Sequence, residues 1–153
     1  MDIHGWVEVT SLDPHHRSES YAWTGVIRLD YLIGWYDIVA AAMFRFRPAT
    51  SLGGEPDLPA PIAADRGIPP NSSENVAAEL EAIRDFEARS GAGEFGEYTH
   101  VTWEELQAVD WQRFGVRRLE DSPWFTVMEM IRVLKRRPEF ANAGVRIVCW
   151  RSW

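Results

Sequence analysis

The sequence predicts an α+β fold, with an antiparallel sheet formed by an N-terminal hairpin and a C-terminal strand and covered by three or four helices. Three observations lead there. Apolar residues alternate with a period of two in two N-terminal segments and an apolar strand-like segment closes the chain, capped helical patterns fill the middle, and no regular strand–helix alternation joins them.

"DIHGWVEV" (2 to 9) sets Ile3, Gly5, Val7 and Val9 against His4, Trp6 and Glu8, as a half-buried strand does. "YAWTGVIRL" (21 to 29) repeats the period, with Tyr21, Trp23, Gly25, Ile27 and Leu29 on one side. The polar stretch between them contains Asp-Pro and reads as a long hairpin tip. Asp30 is expected to cap a helix in "YLIGWYDIVAAAMF", where Leu32, Trp35, Tyr36, Val39 and Met43 share a face, and Pro48 ends that helix at or before Arg47.

Residues 48 to 72 form a Pro/Gly-rich loop within a single domain spanning 1 to 153. "NSSENVAAELEAIRDFEARSG" then reads as a helix, with Asn71 and Glu74 at capping-box spacing and Gly91 as the stop. "GAGEFGE" is expected to be flexible. Thr102 and Glu105 make a second capping box, and Ser122 with Pro123 opens a helix whose core face is Trp124, Val127, Met128, Ile131 and Leu134. "VRIVCWRSW" closes the chain as a strand beside the hairpin.

A domain of this length buries roughly 68–70% of its unfolded surface, enough for one core without staples. The single cysteine, Cys149, excludes an internal disulfide and any CxxC motif, which makes the cytoplasm the simplest location. The apolar run from Tyr31 to Phe44 is too short to span a membrane, and no signal peptide is visible. A net charge of −7 argues against a long nucleic acid as partner. It leaves room for a local cationic pocket, and eight tryptophans supply flat faces to line one.

At "DIHGWVEV", "WYDIVAAAMFRFRP", "RGIPP" and "YTHVTWEEL" the chain resembles a loose family of small hypothetical proteins found in bacteriophages and in bacteria, actinomycetes among them. The resemblance implies a small accessory protein of phage or mobile-element origin and carries no established activity.

The chemistry-bearing candidates are few. "AMFRFRP" (42 to 48) interleaves Arg45 and Arg47 with Phe44 and Phe46. Such cations complement a helix C-terminus, and the same guanidinium forks bind phosphate oxygens while rings stack on bases. Arg66, beyond the loop, would close over that site, with Trp35, Phe44 or Trp103 as the stacking face. Arg113, Arg117 and Arg118 lie near Trp111 and Phe114 as a second cluster or a solvated loop. His15 and His16 are adjacent, with His4 and His100 far off in sequence, and no metal-ligand spacing occurs. Nucleophile elbows and P-loops are absent.

The leading expectation is therefore a non-enzymatic protein that needs no cofactor and binds a small anionic, nucleotide-like ligand through Arg45, Arg47, Arg66, Trp35, Phe44 and Trp103. In a phage it would act as a sponge for a host immune nucleotide signal, as a homo-oligomer. Two rivals remain: an acidic inhibitor that engages a host protein partner through its carboxylate-rich helix faces, and a small hydrolase using His100 and a carboxylate.

Overall fold

The computed structural model describes residues 2–10, 22–34, 37–45 and 59–153. Four strands form one antiparallel sheet: β1 (Asp2–Thr10), β2 (Trp23–Arg28), β3 (Phe95–Thr102) and β4 (Val145–Ser152), in the order β2-β1-β4-β3. The chain's first and last strands are thus central neighbours, paired from Asp2–Ser152 to Val9–Val145. Four helices cover it: α1 (Ile38–Phe44), α2 (Glu74–Ser90), α3 (Trp103–Gln107) and α4 (Pro123–Lys135). No helix among the described residues is long and apolar enough to cross a membrane.

Strand alternation divides the interior in two. Ile3, Val7, Val9, Val145, Ile147 and Cys149 face a large core shared with α1, α3 and α4. Trp6, Val148, Trp150 and Tyr98 face a smaller one under Val76, Leu80 and Ile83 of α2. Helices therefore lie on both faces of the sheet, which buries the central strands on each side.

Gly5 sits at φ 143° where β1 crosses Cys149, and a Cβ there would lie 2.1 Å from the carbonyl oxygen of Val148. Only glycine lets the two central strands approach so closely.

Two β-bulges reset which side chains face where. Glu8 pairs with Gly25 but Val7 pairs with Ile27, so one residue of β2 is unpaired. The bulge turns Ile27 and Leu29 to the large core, while Trp23 and Gly25 stay opposite Thr10 and Glu8 on the α2 face. The expected single side for Tyr21, Trp23, Gly25, Ile27 and Leu29 is therefore wrong beyond Gly25, and Tyr21 lies outside the described residues. The second bulge falls between Gly96 and Thr99 in β3. That strand begins inside the segment expected to be flexible, at Phe95, because Gly96 and the bulge interrupt the period-two signal.

Caps correct the helix boundaries. Asp37, not Asp30, is the N-cap of α1, accepting from the Ala40 amide at 2.8 Å. The other Asp37 oxygen accepts from Ser122 Oγ, the N-cap residue of α4, which ties the two helix starts together. Ser73 rather than Asn71 caps α2, and Asn71 adopts a positive φ. The Thr102–Glu105 capping box and the Ser122–Pro123 start are present. Part of the Pro/Gly-rich loop packs against the domain: the amides of Ile62 and Ala63 donate to Ala42 and Met43 carbonyls, and Thr99 donates to the Ala63 carbonyl. Residues 46–58 lie outside the described set.

Beneath the start of α2, Glu8 (0% exposed) accepts from Arg146 Nε at 2.7 Å and from the Ser73 amide at 2.6 Å. Arg146 stacks on the Trp23 ring with its guanidinium carbon 3.9 Å from the centroid. Burial lowers the Arg146 pKa, and the adjoining Glu8 carboxylate offsets part of that.

Replacing Arg146 by Met leaves Glu8 buried and uncompensated, and is expected to cost about 3–5 kcal/mol in urea unfolding. Adding Glu8→Gln, which removes the charge and keeps an acceptor for Ser73, is expected to recover part of that loss. Gly5→Ala is expected to abolish the cooperative near-UV circular dichroism melt, because neither backbone in contact can yield.

Candidate functional site

A convergence of polar side chains lies on the α2 face of the sheet, at the end opposite the Glu8–Arg146 pair. His4 comes from β1, Arg28 from the end of β2, Asp30 from the following turn, Ser152 from the end of β4 and Glu79 from α2. The register Asp2–Ser152 and His4–Trp150 brings the first and last strands together here. Hydrogen bonds from Leu32 and Ile33 to the Leu29 carbonyl curl the chain after β2, so Asp30 turns back toward His4.

His4 Nδ1 lies 2.5 Å from Asp30 Oδ1, and His4 Nε2 lies 2.9 Å from Ser152 Oγ. Arg28 Nε donates to the second Asp30 oxygen at 3.0 Å, and its Nη2 approaches Glu79 at 3.4 Å. Glu79 also accepts from the Trp6 indole at 2.9 Å. His4, Arg28, Asp30 and Glu79 open onto a cleft of about 320 Å³ whose other walls are Ala82, Ile83, Phe86, Phe95 and Trp150, and Ser152 adjoins it through His4. Phe86 and Phe95 meet edge to face at 6.1 Å, and the His4 ring lies 5.9 Å from Phe95.

The two carboxylates are tuned in opposite directions. Burial would raise Asp30, but hydrogen bonds from His4 and Arg28 outweigh it and hold its pKa below the ordinary value. Burial dominates at Glu79 and raises its pKa against the Trp6 indole and Arg28. With the ring proton on Nδ1 directed at Asp30, Nε2 is the atom left to accept from the Ser152 hydroxyl. Pairs of titratable groups pushed apart in this way are characteristic of sites that handle protons.

The residues singled out from the sequence lie elsewhere. Phe44 is 3% exposed and stands edge-on to Trp124 at 5.6 Å, and Trp103 is 4% exposed in the same core. Neither ring offers a face to a ligand. Arg45 is exposed at the C-cap of α1, in the left-handed region at φ 53°, with its amide on the Ala41 carbonyl at 3.0 Å. Arg66 is committed to Glu105 at 2.9 Å and to the Ile62 carbonyl at 2.6 Å. Trp35 and Arg47 lie outside the described residues. The four described members line neither the α2 cleft nor a second cleft of about 340 Å³ between Ile62, Glu105 and Arg113.

Among the described residues, His100 has a backbone carbonyl as its hydrogen-bond partner. Its Nδ1 lies 3.0 Å from the Gly67 carbonyl, while Glu105 serves the Thr102 cap and Arg66. Cys149 is wholly buried, which raises its thiol pKa and makes it inert as a nucleophile.

The arginine–aromatic pairing suggested by composition is real but internal. Arg28 lies over Trp6 and Tyr31, Arg132 over Trp103, Arg146 over Trp23 and Arg151 over Trp153. These cations cover the chain's own rings. The α2 cleft was legible only in the expectation that the terminal strand lies beside the hairpin. That pairing brings the ends of β1 and β4 together, whereas the role of Asp30, a partner of His4 and not the expected helix cap, has no local signal. No protein-family model matches the chain, and no curated protein or solved structure matches it.

Asp30→Asn is expected to remove charge-assisted hydrogen bonds worth about 1.5–3 kcal/mol. At about 2–4 °C per kcal/mol, the melting temperature should fall measurably at pH 7 by differential scanning calorimetry. Because the folded pKa of Asp30 is depressed, its stabilisation is full above its unfolded pKa and is lost as pH falls through the folded value. The gap between Asp30→Asn and the parent chain should therefore close in acid. Glu79, raised in the fold, behaves oppositely: Glu79→Gln is expected to leave neutral-pH stability unchanged or higher.

Proposed function

We propose that this chain binds a small, ring-bearing, largely uncharged molecule in the cleft between α2 and the sheet. The observation that carries the reading is the convergence of His4, Arg28, Asp30 and Glu79 on one side of a cleft whose other side is Ile83, Phe86, Phe95 and Trp150. Ligand sites combine apolar walls with a few fixed polar groups in this way.

Charge balance selects the ligand class. Arg28 faces two carboxylates, Asp30 and Glu79, and even a protonated His4 would bring the four groups only to neutrality. A polyphosphate entering there would meet as much negative as positive charge. This favours an uncharged polar ligand over the nucleotide-like anion suggested by the arginine content. Arg28, with its side chain 43% exposed, is the group positioned to hold one ligand oxygen. Phe86, 42% exposed, is the wall with apolar surface left to cover. A partner for those rings supplies the hydrophobic part of the binding energy, at roughly 25 cal/mol per Å² covered.

A thermal-shift panel tests the reading. Nucleosides, aryl glycosides and aryl esters represent the uncharged class, and nucleoside di- and triphosphates the anionic one. A ligand present at 100 times its Kd stabilises by about 2.7 kcal/mol, or about 5–11 °C here. At least one uncharged compound is expected to raise the melting temperature, and Phe86→Ala is expected to weaken that shift. A response confined to the polyphosphates would overturn the charge argument, and a flat panel would remove the site.

A further inference from the structure

Resting on that cleft as a ligand site, we propose that Ser152, His4 and Asp30 form a nucleophilic relay that transfers the acyl group of a small uncharged ester to Ser152 and then to water. The geometry meets the requirements of such a relay in order. The Ser152 hydroxyl lies 2.9 Å from His4 Nε2, within reach for proton transfer, and the opposite ring nitrogen lies 2.5 Å from Asp30. The base is thus oriented by a third group that is itself held by Arg28 at 3.0 Å.

Three separate elements supply these residues, brought together by the pairing of the first strand with the last and by the turn after β2. A convergence of this kind is recognised by geometry and roles and not by the order of the residues along the chain. His4, Asp30 and Arg28 line the cleft itself, and Phe95, paired across the ladder from Ser152, forms its wall. An ester seated against Phe86 and Phe95 therefore lies beside the relay.

The chemistry balances with water as the second reactant. Ser152 Oγ attacks the acyl carbon while its proton passes to His4 Nε2. Among the described residues lining the cleft, Arg28 is the guanidinium available to the oxyanion that develops. The carbon–oxygen bond to the leaving group then breaks, and the departing alkoxide takes the proton from Nε2. Water next attacks the acyl-Ser152 ester, again giving its proton to His4, and Ser152 leaves with that proton as the free acid is released. Asp30 stays ionised throughout and stabilises the transient imidazolium. Glu79 takes no part in the transfer.

The test uses the full chain with diisopropyl fluorophosphate as the probe, peptide mapping by mass spectrometry as the readout, and 4-nitrophenyl acetate for turnover. One phosphoryl group is expected on Ser152, with release of 4-nitrophenolate blocked by the label. His4→Ala is expected to slow labelling by about 100-fold or more, the usual share of a general base. Labelling absent from Ser152, or equally fast in His4→Ala, overturns the relay. The parent chain carries the decisive measurement, so a variant that fails to fold does not obscure it.

The thermal-shift panel on Ser152→Ala separates the two readings. A ligand-induced shift without labelling of the parent chain removes acyl transfer and keeps the binding site. Neither shift nor labelling removes both. Labelling without a shift keeps the nucleophile and removes the ligand class.

Discussion

The arrangement depends on one buried ion pair. Glu8 and Arg146 stand on adjacent central strands, under the start of α2, with both side chains almost fully removed from water. A charge so placed is tolerated only when it is paired and its remaining lone pairs are used. The Ser73 amide donates to the second Glu8 oxygen, so the residue that caps α2 is bonded directly to the sheet. Gly25 leaves room for Asn75 and Trp6 at the same end. One end of α2 is thus fixed by electrostatics and close packing, and its direction over the sheet follows.

That anchoring has a consequence at the other end. Val76 is buried near the anchor, whereas Ile83 and Phe86, further along α2, form one wall of a cleft whose floor carries polar residues. The hydrophobic contact that would close the helix onto the sheet is replaced by His4, Arg28, Asp30 and Glu79. Hydrogen bonds of 2.5 and 3.0 Å join His4 and Arg28 to Asp30, while Glu79 is held by the Trp6 indole and lies 3.4 Å from Arg28. Polar groups collected under a helix need such a network, since each unpaired one would cost about 1–3 kcal/mol. Here the network also separates the acidities of two carboxylates, so mutual satisfaction and proton handling arise from the same contacts.

The arginine–tryptophan content has a structural explanation in the same economy. A sheet with helices on both faces leaves its edges and strand ends to be covered by long side chains. Arginine stems do this while stacking their guanidinium groups on neighbouring rings. Arg146 on Trp23 and Arg151 on Trp153 cap opposite ends of β4. The clusters that resemble phosphate sites along the sequence are therefore largely occupied before any ligand arrives.

Local physics was legible in the sequence: period-two alternation in β1, the apolar run of β4, the capping box at Thr102 and Glu105, the Ser122–Pro123 helix start and the Gly91 stop. Each follows from contacts spanning a few residues, so residue order alone determines it, and the α+β class follows from their sum. What only the tertiary structure decided depends on contacts across the whole chain. Bulges in β2 and β3 reversed the facing of side chains, Gly96 and the bulge beside it hid the start of β3, and Asp30 is the partner of His4 and not a helix cap. Phe44 and Trp103 went to the core because their helices face it, and Arg66 went to Glu105 because the loop folds back. Ser152 lies 148 positions from His4, and no local pattern encodes that contact. It exists because the two end strands share a ladder, whose register is a property of the entire core.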